Sequence, residues 1–171
     1  MSVRAEKVKY ELTGEYWKFP MVYGILDVRG KRVVDIGGSY GDTAHYFFKH
    51  GASSVTVFEP DKENTRVIKE NFREELKNGR LVLYERGWKG EYLPAEVLKV
   101  DCEGCEVKIS RELLLSYPQW VVGYHSTKIA SEGERVKVKK AIEEAGGHYH
   151  YFDGIELVYT NVNRANRVKG R

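Results

Sequence analysis

The sequence predicts a three-layer α/β fold, a mostly parallel sheet with helices on both faces. Short apolar runs alternate with segments of helical spacing along most of the chain, the pattern of parallel strands joined by crossover helices. A glycine-rich turn, Asp35-Ile36-Gly37-Gly38-Ser39-Tyr40-Gly41-Asp42-Thr43, separates the first apolar run from the first helical segment. Near the end, two β-rich runs flank Asp153-Gly154, the dipeptide of a tight hairpin, and add one antiparallel strand.

The elements follow in order. Residues 32–36 read as a short buried strand, and Ala44, Phe47, Phe48 and Gly51 mark one face of the helix after the turn. Val55-Thr56-Val57-Phe58 is a second strand, ending at Glu59-Pro60. One helix is expected over residues 62–77, with Ile68, Phe72 and Leu76 on one face and Asn78-Gly79 as its stop. Leu81–Tyr84 and Val97–Val100 are the third and fourth strands. A short helix over Arg111–Ser116, capped by Ser110, precedes a fifth strand at Trp120-Val121-Val122. Ser131-Glu132-Gly133-Glu134 has the form of a capping box and opens a helix with Val138, Ala141, Ile142 and Ala145 on its apolar face. Tyr149–Phe152 and Ile155–Thr160 form the closing hairpin.

Composition sets the class. With 171 residues, the chain suits one domain, expected over residues 1–162 with 1–30 as an N-terminal extension and 163–171 as a basic tail. No apolar stretch approaches the ~20 residues of a membrane helix, and the N-terminus lacks a signal-peptide core, so a cytoplasmic location without membrane contact is expected. A net charge of +3 does not by itself argue for a nucleic-acid partner. Abundant Lys, Glu and Arg with a single Gln, Gln119, lean toward a heat-adapted source. Cys102 and Cys105 argue against a disulfide framework and, lacking a second pair, against a zinc site. Packing in a tight turn is the expectation for them, with a reactive thiol as the alternative.

The turn also indicates a cofactor. A dinucleotide site needs G-x-G-x-x-G, and the third position from Gly37 is Ser39, so that pattern fails. Asp35 at the strand end would repel a pyrophosphate but suits a cation or an amine. S-adenosyl-L-methionine (SAM) carries a sulfonium and an amino acid group and no phosphate. Glu59 closes the second strand 22 positions after Gly37, where an acid accepts hydrogen bonds from ribose hydroxyls.

Three ordered motifs carry a family likeness. Asp35-Ile-Gly37-Gly38-Ser39-Tyr-Gly41-Asp42-Thr43 resembles the D-x-G-x-x-x-G-D-T loop of the FkbM-type SAM-dependent methyltransferases. Phe58-Glu59-Pro60 resembles their F-E-P, and Lys99-Val-Asp101-Cys-Glu103-Gly-Cys-Glu106 their K-x-D-x-E-G-x-E. The resemblance covers roughly residues 30 to 125. It implies a Rossmann-like class I methyltransferase fold with a seven-stranded sheet and a SAM site over Asp35, Gly37, Gly38, Ser39, Gly41, Asp42, Glu59, Pro60 and Asp101. Glu85 and Arg86 follow the third strand, where that class meets adenine; an ordinary polar turn is the alternative. The chain departs from the family in its short span between Tyr84 and Val97, in Gly123-Tyr124-His125 where E-x-H is usual, and in its short N-terminal part.

Charge and placement nominate the catalytic groups. Asp101 ends the fourth strand, on the edge where open α/β sheets bind ligands, and His125 leaves the neighbouring strand at the same edge. Lys99, Asp101 and Glu103 share parity and face one side if the strand runs that far. Asp101 and His125 then handle the proton of an acceptor or hold a divalent metal, although no metal-ligand motif is present. Alternatively, Asp101 and Glu103 cap the next helix and pair with Lys99, itself expected as an ion-pair partner. Tyr10, Tyr16, Trp17, Phe19 and Tyr23 are expected to pack ahead of the sheet, with a lid or stacking role as the alternative. His148 and His150 read as exposed strand residues.

The favoured activity is O-methylation of a sugar, glycan or other small hydroxylated molecule. RNA methylation is the alternative, with Lys137, Lys139, Lys140 and the tail residues Arg164, Arg167, Lys169 and Arg171 tracking phosphates. A SAM-binding domain without catalysis is the third reading. Oligomeric state is not legible.

Overall fold

The computed structural model describes residues 14–152 and 157–163. Tyr10 with the rest of residues 1–13 of the N-terminal extension, the Asp153-Gly154 link with the start of its following run, and the basic tail from Arg164 lie outside the described residues.

Seven strands form one sheet: β1 Arg32–Ile36, β2 Ser54–Phe58, β3 Leu81–Tyr84, β4 Val97–Val100, β5 Gln119–Tyr124, β6 His148–Phe152 and β7 Leu157–Thr160. Their spatial order is β3-β2-β1-β4-β5-β7-β6. The pairs among β1 to β5 are parallel, and β7 runs antiparallel to both β5 and β6. This is the class I methyltransferase fold that the strand pattern and motifs predict. β5 is longer than expected because Gly123 and Tyr124 continue its pairing with Val158 and Leu157.

Alternation along the central strands divides the core between the two faces. Val33, Val55, Val57, Val97 and Val121 face a layer with Phe47, Ile68 and Phe72. Val34, Ile36, Leu98, Val100, Trp120 and Val122 face a layer with Leu114, Val138 and Ile142. Each fully buried large aliphatic or aromatic side chain in these layers contributes on the order of 1.5–3 kcal/mol.

The helices are α1 Phe19–Val22, α2 Asp42–Lys49, α3 Lys62–Asn71, α4 Arg73–Lys77, α5 Arg111–Leu115 and α6 Glu132–Glu144. The single helix expected over 62–77 is two. Phe72 leaves helical geometry at φ −118, ψ 31 and is fully buried, so the chain breaks where that ring enters the core. Asp61 caps α3 by accepting from the backbone N–H groups of Glu63 and Asn64. The Ser131–Glu134 capping box is formed, and Ser110 caps α5 through Leu113 N–H. Lys137, Lys139 and Lys140 lie on the exposed side of α6.

The aromatic residues ahead of the sheet mostly pack. A short turn at Tyr16–Lys18 and α1 lay Tyr16, Phe19 and Tyr23 against Tyr46 of α2 in tilted and edge-on contacts. Trp17 is 62% exposed. His150 is half-buried rather than exposed, because its Nε2 lies 3.0 Å from the carbonyl of Met21.

Candidate functional site

A cleft of about 520 Å³ opens at the carboxyl ends of β1, β2 and β4, the expected position in an open α/β sheet. Its walls come from the glycine turn (Gly37, Ser39, Tyr40), the end of β2 (Phe58, Glu59, Pro60), the segment after β4 (Asp101, Cys102, Glu103, Cys105), and Phe19 and Tyr23.

The turn is shaped by contact as well as by dihedral freedom. Gly37 has φ +78, and a Cβ there would lie 1.9 Å from the carbonyl oxygen of Asp101. Gly41 has φ +86 ahead of α2, and a Cβ there would lie 2.6 Å from the Phe72 ring. Both positions therefore require glycine for the turn to sit on its neighbours. Gly38 does not line the cleft, and a Cβ there would meet Val57 at 2.2 Å.

Asp35 does not face the cleft. It pairs in register with Lys99 across β1 and β4, is fully buried, and forms an ion pair with Lys99 Nζ at 2.9 Å. Thr43 donates its hydroxyl to the other carboxylate oxygen. Burial pushes the Asp35 pKa up, while Lys99 and Thr43 pull against that shift. Burial also opposes the charge on Lys99, but Asp35 and then Asp101 outweigh it and hold the lysine above its ordinary value. The carboxylate expected to meet a cationic ligand is thus the counter-ion of a buried lysine.

Asp42 is the carboxylate left over. It lines the cleft in the first turn of α2, is 4% exposed, and its Oδ1 is buried with no hydrogen-bond partner. Burial raises its pKa from 3.8 to about 6 despite the nearby Lys99. Glu59 is also buried and faces the cleft. It accepts from Ser39 N–H and Asp61 N–H at 2.9 Å each, leaving lone pairs for a ligand.

The segment after β4 departs from the expected parity. The strand stops at Val100, Glu103 takes φ +52 and Gly104 φ +122, and the Glu103 side chain turns out to pair with Lys128 at 3.2 Å. Asp101 remains in the cleft and accepts from the Tyr23 hydroxyl at 3.2 Å. Cys102 and Cys105 are not free thiols but a disulfide that closes this turn, with Cys105 opening the short helix Cys105–Lys108. Spacing alone did not indicate that the turn would bring the two sulfurs together.

His125 is 7% exposed and does not line the cleft. Its Nδ1 lies 2.6 Å from Glu106 Oε1, and its Nε2 lies 3.6 Å from Asp101 Oδ1. Glu85 and Arg86 also stay out of the cleft. Glu85 pairs with Lys69, and Arg86 pairs with Glu91 while lying over the Phe58 and Tyr84 rings. Gly87 and Trp88 take the wall position instead, and Trp88 is 2% exposed. Trp88 and Asn64 stand outside the sequence motifs, and Glu106 closes one without an assigned role. A Trp just past the third strand is the one sequence signal for Trp88. Among the described residues, no cluster of three or more His, Cys, Asp or Glu is arranged to hold a metal ion, and no helix is long and apolar enough to cross a membrane.

No known family model matches the sequence. The chain is 32% identical over 148 residues to "Uncharacterized protein 65" of Sulfolobus islandicus filamentous virus, covering 84% of this chain and 88% of that protein. It is 34% identical over 112 residues to "Uncharacterized protein 158B" of Sulfolobus islandicus rod-shaped virus 1, covering 64% and 71%. Among solved structures, the FkbM methyltransferase of Methylobacillus flagellatus superposes with a TM-score of 0.61 at 15% identity, over 85% of this chain and 47% of that one. A TehB-like SAM-dependent methyltransferase of Corynebacterium glutamicum gives 0.55 at 13% identity, over 92% and 96%. The tRNA (m1A58) methyltransferase of Aquifex aeolicus gives 0.55 at 14%, over 85% and 67%. At such identities the likeness establishes the fold.

Proposed function

The chain belongs to the family of protein 65 of the Sulfolobus islandicus filamentous virus, and on the fold and the cleft we propose that it is a SAM-dependent methyltransferase acting on the oxygen of a small hydroxylated molecule. One observation carries the cofactor. The cleft floor holds Asp42, Asp101 and a single lysine already neutralised by Asp35, so it is net negative, and Asp42 Oδ1 has no partner. An ammonium or sulfonium group supplies the missing charge, whereas a pyrophosphate adds repulsion.

The residues divide the work. Asp42 receives the amino group of the cofactor. Glu59 accepts from the ribose hydroxyls with the lone pairs its backbone partners leave open. Gly37, Ser39 and Tyr40 give backbone surface at the turn. Pro60, Gly87 and Trp88 wall the far side, where the base of the cofactor lies. SAM, when bound, supplies an electrophilic methyl group and a neutral thioether as leaving group. Asp101, with one oxygen fixed by Tyr23, takes the proton of the acceptor hydroxyl. Phe19 and Tyr23 exclude water from that end. The three motifs support an FkbM-type member of the class, and the chain spans about half the length of the FkbM structure.

RNA methylation is the second reading, supported by the tRNA methyltransferase among the structural neighbours. The acidic cleft works against it, since a phosphate backbone would approach Asp42 and Asp101. Calorimetry with SAM, followed by tritiated methyl transfer to glycan, RNA and protein panels, tests these readings. SAM binding with transfer to glycans is the expected result. Transfer to RNA alone overturns the acceptor, binding without any transfer leaves a binding domain, and no binding overturns the cofactor.

A further inference from the structure

The third carboxylate of the segment after β4, in the short helix Cys105–Lys108, is unused by the reading above. Glu106 is fully buried. A charge there needs partners, and it has them on both oxygens: the backbone N–H of Gly104 at 2.5 Å and the imidazole Nδ1 of His125 at 2.6 Å. A carboxylate oxygen that close to a ring nitrogen fixes the hydrogen on Nδ1. The opposite nitrogen, Nε2, is then the unprotonated one and lies 3.6 Å from Asp101 Oδ1. That is longer than a hydrogen bond, so a proton on Asp101 passes to Nε2 only as the two groups close by about 0.5 Å. Tyr23 fixes the other oxygen of Asp101 from the cleft side.

We infer that Glu106 is a positioning residue which, through His125, gives Asp101 a buried proton acceptor behind the cleft. The inference rests on Asp101 being the base. In the transfer, the acceptor O–H bond breaks and its oxygen bonds the methyl carbon as the carbon–sulfur bond breaks. The proton goes to Asp101 and then to His125 Nε2. The imidazolium so formed is paired by the Glu106 carboxylate at its Nδ1 side. His125 is therefore not the group that meets the acceptor. The Cys102–Cys105 disulfide spans the residues between Asp101 and Glu106 and ties the two carboxylates into one short segment.

The test reads the ring directly and needs no acceptor. Protein labelled with ¹⁵N in its histidine rings is examined by NMR without SAM, with His125→Asn assigning the resonances. A hydrogen-bonded Nδ1–H with an unprotonated Nε2 is expected. Glu106→Gln is expected to move that proton upfield and speed its exchange, with the circular dichroism spectrum retained. Should Glu106→Gln fail to fold, Asp101→Asn decides, since it should shift the Nε2 resonance while leaving Nδ1–H in place. A wild-type ring that carries a proton on Nε2, alone or together with Nδ1, or rings unmoved by these substitutions, overturns the inference. Calorimetry with SAM on the same samples keeps the two readings apart. Absent SAM binding overturns the methyltransferase reading while the ring resonances still decide the relay.

Discussion

Asp35 and Asp42 flank the same glycine turn and have opposite surroundings. Asp35 has a lysine, a hydroxyl and no access to the cleft. Asp42 has a buried oxygen with no partner and a place in the cleft wall. The first carboxylate is spent on holding β1 to β4. The second is left in a state that costs stability and suits a ligand. Burial alone does not separate them, because both are nearly inaccessible. The presence of a counter-ion does.

Lys99→Met should produce the largest effect. It leaves Asp35 buried and uncompensated, which costs about 3–5 kcal/mol, read as a fall in the urea midpoint. Adding Asp35→Asn should recover part of the loss, because the uncompensated charge is then gone. Full additivity of the two would mean that they are not a pair.

Asp42→Asn should act in the opposite direction. With a folded pKa of about 6 against 3.8, the native state binds the proton more tightly. Wild-type stability therefore rises as pH falls from about 6 toward 4, and above pH 6 the full penalty stands. That penalty is about 3 kcal/mol at 1.36 kcal/mol per pKa unit. The variant should be more stable at pH 7 by up to this amount, equal to wild type below pH 4, and weaker in SAM binding by calorimetry. Stability gained at pH 4 as much as at pH 7 would contradict the assignment.

Serine at both Cys102 and Cys105 removes a four-residue ring and should cost about 2 kcal/mol by chain entropy, measured as a lower thermal midpoint. Glu96→Gln is the smallest. It breaks an ion pair with Arg32 that is open to solvent and should leave the midpoint within error, in contrast to Lys99→Met.

The sheet and its helices were legible because burial alternates in step with the sequence. Val33 and Val34 take opposite faces, as a two-residue period requires. The break at Phe72 was not legible, since helical spacing continues across it and only the depth of that ring interrupts the backbone. The site was legible in part. The turn, Glu59 and Asp101 stand in the cleft as their places at strand ends suggested. The fate of Asp35 depended on register, which sets Lys99 opposite it. Glu103 and Glu106 depended on two positive-φ residues that redirect the chain, which parity cannot anticipate. Trp88 lies in a segment without regular structure, where periodicity carries no information.

The clearance at Gly37 has a further consequence. The glycine turn and the carbonyl of Asp101 touch across a gap too small for a single methyl group. Neither half of the cleft can be redesigned alone through that residue, since any side chain there displaces Asp101 along with the turn. Attempts to widen the cleft for bulkier ligands should therefore begin away from Gly37, at Pro60 or Trp88.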